Sequence, residues 1–396
     1  MLSERVKRIT ASPTMRLAAE AKRLKAEGVN VIDLSVGEPD FPTPLNIKEA
    51  AKRAIDDNHT KYTINAGTVP LREAIKNKFK KDNNLDYNLN EIIVSSGAKQ
   101  SIFNAILSTV SKDDEVIVPS PYWVSYPEMI SLAEGKTVVI ETTEEKGFRI
   151  TPDQLEAAVT PRTKVFILCN PSNPTGSAYN RKQLEEIAEV VEKYDFLVIS
   201  DEIYEKLLYD NFEFISFASL SDEMKKRTIL VNGVSKTYSM TGWRIGYTAG
   251  PEEVIKAMDK IQSHSTSHAS SISQQATIES LNGPHDYLKE MQEEFHKRRD
   301  YLYDQFLSLG GLSCYKPEGA FYLFPNFSYY LNKSCNGTTV NNSLDLAMYL
   351  LNEVKVAGVP GSAFGAEGFM RFSNAASMER LNEAISRIKE ALNKLH

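Results

Sequence analysis

The chain has 396 residues, 42% hydrophobic and 25% charged, an ordinary globular composition with enough apolar material for two domains with cores of their own. A net charge of −6 argues against broad nucleic-acid binding, and no stretch approaches the ~20 apolar residues of a membrane helix. Cys169, Cys314 and Cys335 are far apart and odd in number, with neither a disulfide framework nor a metal pattern, and the N-terminus lacks the apolar core of a signal peptide. A cytoplasmic protein without a metal site is the expectation.

Residues 17–26 carry alanine, lysine and glutamate at helical spacing and stop before Gly28. Residues 31–36 predict a strand running into Gly37-Glu38-Pro39-Asp40-Phe41-Pro42, where glycine lets the backbone approach a ligand; a plain turn is the alternative. Helices are predicted over 46–57 and 70–81, with Tyr62 between them a packed tyrosine by default. A strand at 91–95 meets Ser96-Gly97-Ala98-Lys99, where a helix begins. Free amides at a helix N-terminus bind anions, so this is a phosphate candidate as well as an ordinary turn.

The strand at 115–118 leads into a proline-bounded loop holding Trp123. Its flat ring suits stacking on a flat cofactor, although core packing is the commoner use of tryptophan. A further strand is predicted at 137–140. The apolar run 163–169 ends in Asn170-Pro171-Ser172-Asn173-Pro174-Thr175-Gly176, where asparagine amides between prolines make a donor site. After a helix over 182–194, the strand 196–200 is apolar on both faces, as in a parallel sheet covered by helices. Asp201 stands at its carboxyl end, where open α/β sheets place ligands; a carboxylate there suits a protonated pyridine nitrogen, or simply caps a helix.

The strand 228–231 runs through Asn232-Gly233 into Ser235 and Lys236, with Arg244 eight residues on. A lysine just past a core strand loses its proton readily, and a neutral amine attacks carbonyls. Ser235 and Arg244 suit a phosphate. Together these features describe a pocket for pyridoxal phosphate (PLP), against the plainer reading of Lys236 as a surface lysine at a helix start. A P-loop is rejected because serine, not glycine, precedes the lysine. The alternation of strands and helices over 90–250 predicts a mostly parallel sheet covered on both faces.

Residues 284–309 predict a long helix with an apolar stripe, 320–324 a strand, 331–343 an exposed loop and 344–353 a helix. Arg371 stands in an apolar strand at 369–373 and needs a partner, for which a substrate carboxylate or a structural ion pair would serve. Residues 378–395 read as an amphipathic helix, and no internal repeat is seen.

From Ser35-Val36-Gly37-Glu38-Pro39-Asp40-Phe41 to Arg371 the chain resembles the fold-type I, class I aminotransferases, and within them the bacterial-type aspartate aminotransferases. Its anchors are Asn170 to Gly176, Ser200 to Tyr204, and Ser235-Lys236 with Thr241 to Tyr247. The resemblance implies an α/β PLP-transferase fold: a large domain with a mostly parallel seven-stranded sheet between helices, and a smaller α+β domain. It implies an N-terminal arm and part of the small domain over 1–45, a PLP-binding domain over 46–285 and a small C-terminal domain over 286–396. Lys236 would bind PLP covalently and shuttle the proton at Cα. Asp201 would pair with the pyridine nitrogen, Tyr204 and Asn173 with the phenolic oxygen, and Trp123 would stack on the ring. Ser235, Arg244 and the backbone of Gly97, Ala98 and Lys99 would take the phosphate. Tyr62 would reach the phosphate of a neighbouring subunit, making a homodimer with shared sites. Arg371, Asn173 and the Gly37 amide would bind the substrate α-carboxylate, beside Trp123. The expected reaction is ping-pong transfer of the amino group of L-aspartate to 2-oxoglutarate. Residues 261–273 hold no arginine for a distal carboxylate, only His264 and His268, so Lys99 takes that role in the expectation. Transamination of another amino acid, a PLP-dependent C–S lyase and a PLP-binding transcription regulator are the alternatives. The motifs begin at residue 35, which leaves no room before them for the regulator's DNA-binding module.

Overall fold

The computed structural model describes residues 2–9, 13–335 and 337–396. Its centre is a seven-stranded sheet of β1 (Ile92–Ser95), β2 (Glu115–Ser120), β3 (Lys136–Glu141), β4 (Thr163–Cys169), β5 (Leu197–Asp201), β6 (Thr228–Gly233) and β7 (Gly246–Ala249). The spatial order is β1-β7-β6-β5-β4-β2-β3. Strands β3, β2, β4, β5 and β6 pair in parallel, and β7 runs antiparallel to both β6 and β1.

The apolar runs have a simple cause. Side chains alternate faces along a strand, and here both faces are covered. Ile93, Val116, Val118, Val165, Ile167, Ile199, Ile229 and Val231 pack on one side, with the helices Ala98–Thr109 and Glu252–Ser263. Their sequence neighbours Ile92, Val94 and Leu230 face the helices Leu45–Asp56, Val69–Asn83 and Ser271–Asn282. Ile117, Phe166, Leu168 and Val198 face the helix Arg181–Lys193.

A second apolar core gathers residues from both ends of the chain, among them Leu17, Leu24, Ile32, Phe306, Leu323, Leu350, Phe372, Leu381 and Ile388. It surrounds the antiparallel sheet of Val359–Pro360, Met370–Ser373 and Tyr322–Leu323. Ile32–Asp33 joins it by pairing in parallel with Val356–Ala357. The strands expected over 31–36 and 320–324 are therefore only two residues long, the length over which a partner backbone is present. The helix Asp286–Ser308 ties this body to the large sheet, with Met291 and Phe295 in one core and Leu302 and Phe306 in the other.

One expectation needs correction. Residues 331–343 are not a plain exposed loop: Lys333–Cys335 and Thr338–Val340 pair as an antiparallel hairpin. Cys335 and Val340 are buried, and Gly337 has φ +79° in the intervening turn. Gly337 supplies the positive φ that a tight hairpin turn favours.

Candidate active site

The carboxyl ends of β1, β2, β4, β5 and β6 lie along one edge of the sheet, and β7 starts from that same edge. Gly246 stands opposite both Gly233 and Ser95. Loops that follow parallel strands therefore converge here with the segment that precedes β7, around a cavity of ≈ 580 Å³.

Asp201 ends β5 and is 5% exposed. Tyr126 donates its hydroxyl to Oδ2 at 2.7 Å, and the Ile203 amide donates to Oδ1 at 3.4 Å. Burial raises the carboxyl pKa, and these two donors work against that rise. Turns rather than a helix follow Asp201, so it is not a helix cap. Cys169 lies beside it in the sheet and leads into the loop 170–176. That loop is pinned by its own backbone: the Asn170 amide donates to the Asp201 carbonyl at 3.0 Å, and the Gly176 amide to the Ser172 carbonyl at 2.9 Å. Asn173 is thereby held buried in the cavity wall. Its Oδ1 accepts from Arg371 Nη1 at 2.8 Å, which leaves the Nδ2 amide to donate.

Lys236 follows β6 in a turn, not at a helix start. Its amine donates to the Gly37 carbonyl and lies 5.9 Å from the ring centre of Tyr204 and 5.7 Å from that of Phe321. Burial, helped by the nearby Arg371 cation, pushes its pKa down to about 8. Gly37 is glycine for a steric reason: a Cβ there would stand 2.8 Å from the Tyr322 hydroxyl.

Arg244 has φ +57° and reaches back across the sheet edge. Nη1 donates to the Thr241 carbonyl at 2.8 Å and Nη2 to the Ser96 carbonyl at 3.4 Å. Gly97 has φ +89° and lies so close that a Cβ would overlap the guanidinium. It opens the helix Ala98–Thr109 without a side-chain cap, leaving the first amides free of intrahelical acceptors. Those amides, Arg244 and the buried Ser235 form an anion cradle. Lys99 is exposed at the cavity mouth, its ammonium 5.0 Å from the ring centre of Trp123. Desolvation, then Arg244, lowers its pKa. Trp123 packs edge-on against Tyr126 at 5.3 Å, so the tryptophan wall and the Asp201 donor share one support.

Arg371 is buried in Met370–Ser373, as the lone charge in that apolar strand requires. Besides Asn173 it donates from Nη2 to the Ser35 carbonyl at 2.7 Å, and its Nε has no partner among the described residues. The cavity thus gathers Gly37, Ala98, Lys99, Trp123, Asn173, Asp201, Tyr204, Ser235, Lys236, Arg244 and Arg371 from sequence positions 334 residues apart. Among the described residues four cations face it against the two carboxylates of Asp201 and Glu38, so it favours anions. Tyr62 lies outside it, 93% exposed rather than packed, with its ring edge-on to His268 at 5.7 Å. Neither His264 nor His268 lines the cavity. Sequence reasoning assigned no role to Tyr126 or Tyr322, both of which bond to site residues.

A parallel sheet with an amine, a buried carboxylate, an anion cradle and a buried arginine at its strand ends is the architecture of a fold-type I aminotransferase. Residues 29–388 match the family described as aminotransferase class I and II, and the chain belongs to that family. It is 50% identical over 393 residues to the probable aspartate/prephenate aminotransferase of Rickettsia felis, covering 99% of this chain and 96% of that one. It is 47% identical over 393 residues to the aspartate aminotransferase of Bacillus subtilis, covering 99% of each. The crystal structure of the aspartate aminotransferase from Rhizobium meliloti superposes with TM-score 0.96 at 45% identity over 100% of both chains. The Thermus thermophilus aspartate aminotransferase with maleate gives 0.93 at 41% identity over 99% of each.

Proposed function

We propose that the chain is a PLP-dependent aminotransferase that takes the amino group of L-aspartate and passes it to 2-oxoglutarate, giving oxaloacetate and L-glutamate by a ping-pong route. The observation that carries the reading is Lys236, an amine with pKa about 8 in a cavity that also presents a buried carboxylate and an anion cradle. The residues fit the cofactor. Burial disfavours the charge on Asp201, and a cationic pyridine nitrogen beside it would offset that cost. The close approach of Gly97 to Arg244 shapes the cradle for a phosphate. When bound, PLP supplies an electron sink for the charge that develops at the amino acid's Cα.

Lys236 would hold PLP covalently, Asp201 would face its ring nitrogen and Tyr204 its phenolic oxygen. Trp123 would lie against the ring, and Ser235, Arg244 and the backbone of Gly97, Ala98 and Lys99 would take the phosphate, with the Ala98 and Lys99 amides as donors. Arg371 binds the substrate α-carboxylate as a bidentate pair, with Asn173 orienting it and the Gly37 backbone alongside. Lys236 would serve as general base for the Cα proton; its depressed pKa leaves about a tenth of it neutral at pH 7. Lys99 binds the distal carboxylate. A homodimer belongs to the same proposal, supported by the exposed Tyr62 ring, which would serve the neighbouring subunit's phosphate. So do a cytoplasmic setting, supported by three dispersed cysteines, and a division into an arm over 1–45, a PLP-binding body over 46–285 and a small domain over 286–396, supported by the separate cores. The relatives named for aspartate and prephenate favour prephenate as a second acceptor.

The test is the absorption spectrum of the protein after incubation with PLP. A visible band that bleaches with L-aspartate alone and returns with 2-oxoglutarate, or with prephenate, is the expected result. A yellow protein indifferent to aspartate overturns the substrate, pyruvate and ammonia released without an acceptor point to a lyase, and a protein that stays colourless overturns the reading.

A further inference from the structure

Tyr322 touches both halves of the site. It stands opposite Ser373 in the antiparallel pair that carries Arg371, so Tyr322 and Arg371 share a face as diagonal neighbours. The Arg371 guanidinium lies over its ring, 4.5 Å from the centre. Its hydroxyl is 2.8 Å from the Tyr204 hydroxyl. It is 1% exposed, and no Cβ fits at Gly37 beside that hydroxyl.

Two hydroxyls that share one hydrogen bond cannot both donate to each other. Where Tyr204 gives its proton to an acceptor in the cavity, its own oxygen is left to accept, and Tyr322 is the donor at hand. Burial raises the Tyr204 pKa well above that of a free tyrosine, so Tyr204 keeps the proton it has to give. Arg371 is constrained at its edge by Asn173 and the Ser35 carbonyl, and over its faces by the rings of Tyr322 and Phe364, the latter at 5.1 Å. A planar cation held this way is oriented before any carboxylate arrives.

We infer that Tyr322 is a positioning residue for the transamination: its hydroxyl donates to Tyr204, committing the Tyr204 proton to the cofactor's phenolic oxygen, while its ring face orients Arg371 for the substrate α-carboxylate. This rests on the PLP reading given above and adds a relay and a clamp support to it.

The test titrates the visible band of the PLP-loaded protein against pH and measures KM and kcat for aspartate in Tyr322→Phe, Tyr322→Leu, Tyr204→Phe and the Tyr204→Phe/Tyr322→Phe double variant. A donor to the phenolic oxygen favours its anionic form, so weakening the relay moves the midpoint up. Tyr322→Phe is expected to raise it by about 0.2–0.6 of a pH unit, less than Tyr204→Phe, from the ~10–30% by which one hydrogen bond strengthens the next. The double variant shifts no further than Tyr204→Phe alone, because a relay without its last member carries nothing. Tyr322→Leu adds a roughly five- to thirtyfold rise in KM for aspartate that Tyr322→Phe, which keeps the ring, does not show. Should the leucine variant fail to fold, the phenylalanine variants still decide. An unmoved Tyr322→Phe midpoint beside a shifted Tyr204→Phe, or additive shifts in the double variant, overturns the relay while the wild type still bleaches with aspartate. A wild type that never bleaches brings down the parent reading and this one with it.

Discussion

Replacing Lys236 by methionine should stabilise the cofactor-free protein at neutral pH and destabilise it at alkaline pH. The amine's drop from 10.5 to about 8, at about 1.4 kcal/mol per pH unit, corresponds to about 3 kcal/mol of unfavourable charge burial. The side chain is only partly buried, so screening reduces that to about 2 kcal/mol. Methionine keeps the length but loses the hydrogen bond to the Gly37 carbonyl, a cost of about 1 kcal/mol. The net gain at pH 7 is about 1 kcal/mol. The sign of the pH dependence follows from linkage. The folded-state pKa lies below the unfolded one, so between pH 8 and 10.5 the unfolded chain binds more protons, and wild-type stability rises with pH through that window. Lys236→Met lacks that rise. Its advantage should close near pH 9.5 and reverse by pH 10.5, leaving only the lost hydrogen bond. Thermal or urea denaturation of both cofactor-free proteins at pH 7 and pH 10.5 measures the gap directly. A gap of the same size at both pH values would show that Lys236 carries no buried charge, and a less stable variant at pH 7 would refute the balance of terms.

Gly97→Ala puts a side chain at φ +89° against the Arg244 guanidinium, so about 1–3 kcal/mol of backbone strain and a displaced arginine should weaken PLP binding by roughly tenfold or more. Titration of the cofactor-free protein with PLP measures it, and wild-type affinity would refute the cradle. Lys99→Ala should raise KM roughly tenfold for aspartate and much less for an aromatic or aliphatic amino acid, as loss of one charge-assisted hydrogen bond implies. Equal effects on both donors would remove Lys99 from substrate recognition.

The parallel strands were readable because burial on both faces leaves a continuous apolar run, as in Val165 to Leu168 and Leu197 to Ile199. The strand Gly246–Ala249 is different. Gly-Tyr-Thr-Ala has no such run, and it is a strand because β1 and β6 flank it with unpaired backbone groups. The helix Ser271–Asn282 is equally hidden. Its buried face is Ser273, Gln274, Ala276, Thr277 and Ser280, and the Gln274, Thr277 and Ser280 side chains donate to backbone carbonyls within or just before the helix, so no apolar stripe marks it. The misread hairpin at 333–340 shows the opposite error, in which polar composition outweighed the turn signal of Gly337.

Within the site, legibility followed position. Asp201, Asn173 and Lys236 stand at or just beyond strand ends, and Arg371 is a charge in an apolar strand, so each breaks a local pattern that the chain itself displays. Tyr126 and Tyr322 break none. Tyr126 sits on the buried face of the short helix Ser125–Leu132 and Tyr322 in a two-residue strand, and an aromatic ring is the ordinary occupant of either position. What distinguishes them is the atom that each hydroxyl meets, Asp201 Oδ2 in one case and the Tyr204 hydroxyl in the other. Those meetings join residues 75 and 118 positions apart, and they exist only once β5 has brought its end to the sheet edge. A tyrosine ring is placed by packing that many sequences could satisfy, whereas its hydroxyl is placed by one partner. The groups that hold the chemistry can therefore be found from sequence, while those that orient them become visible only in the fold.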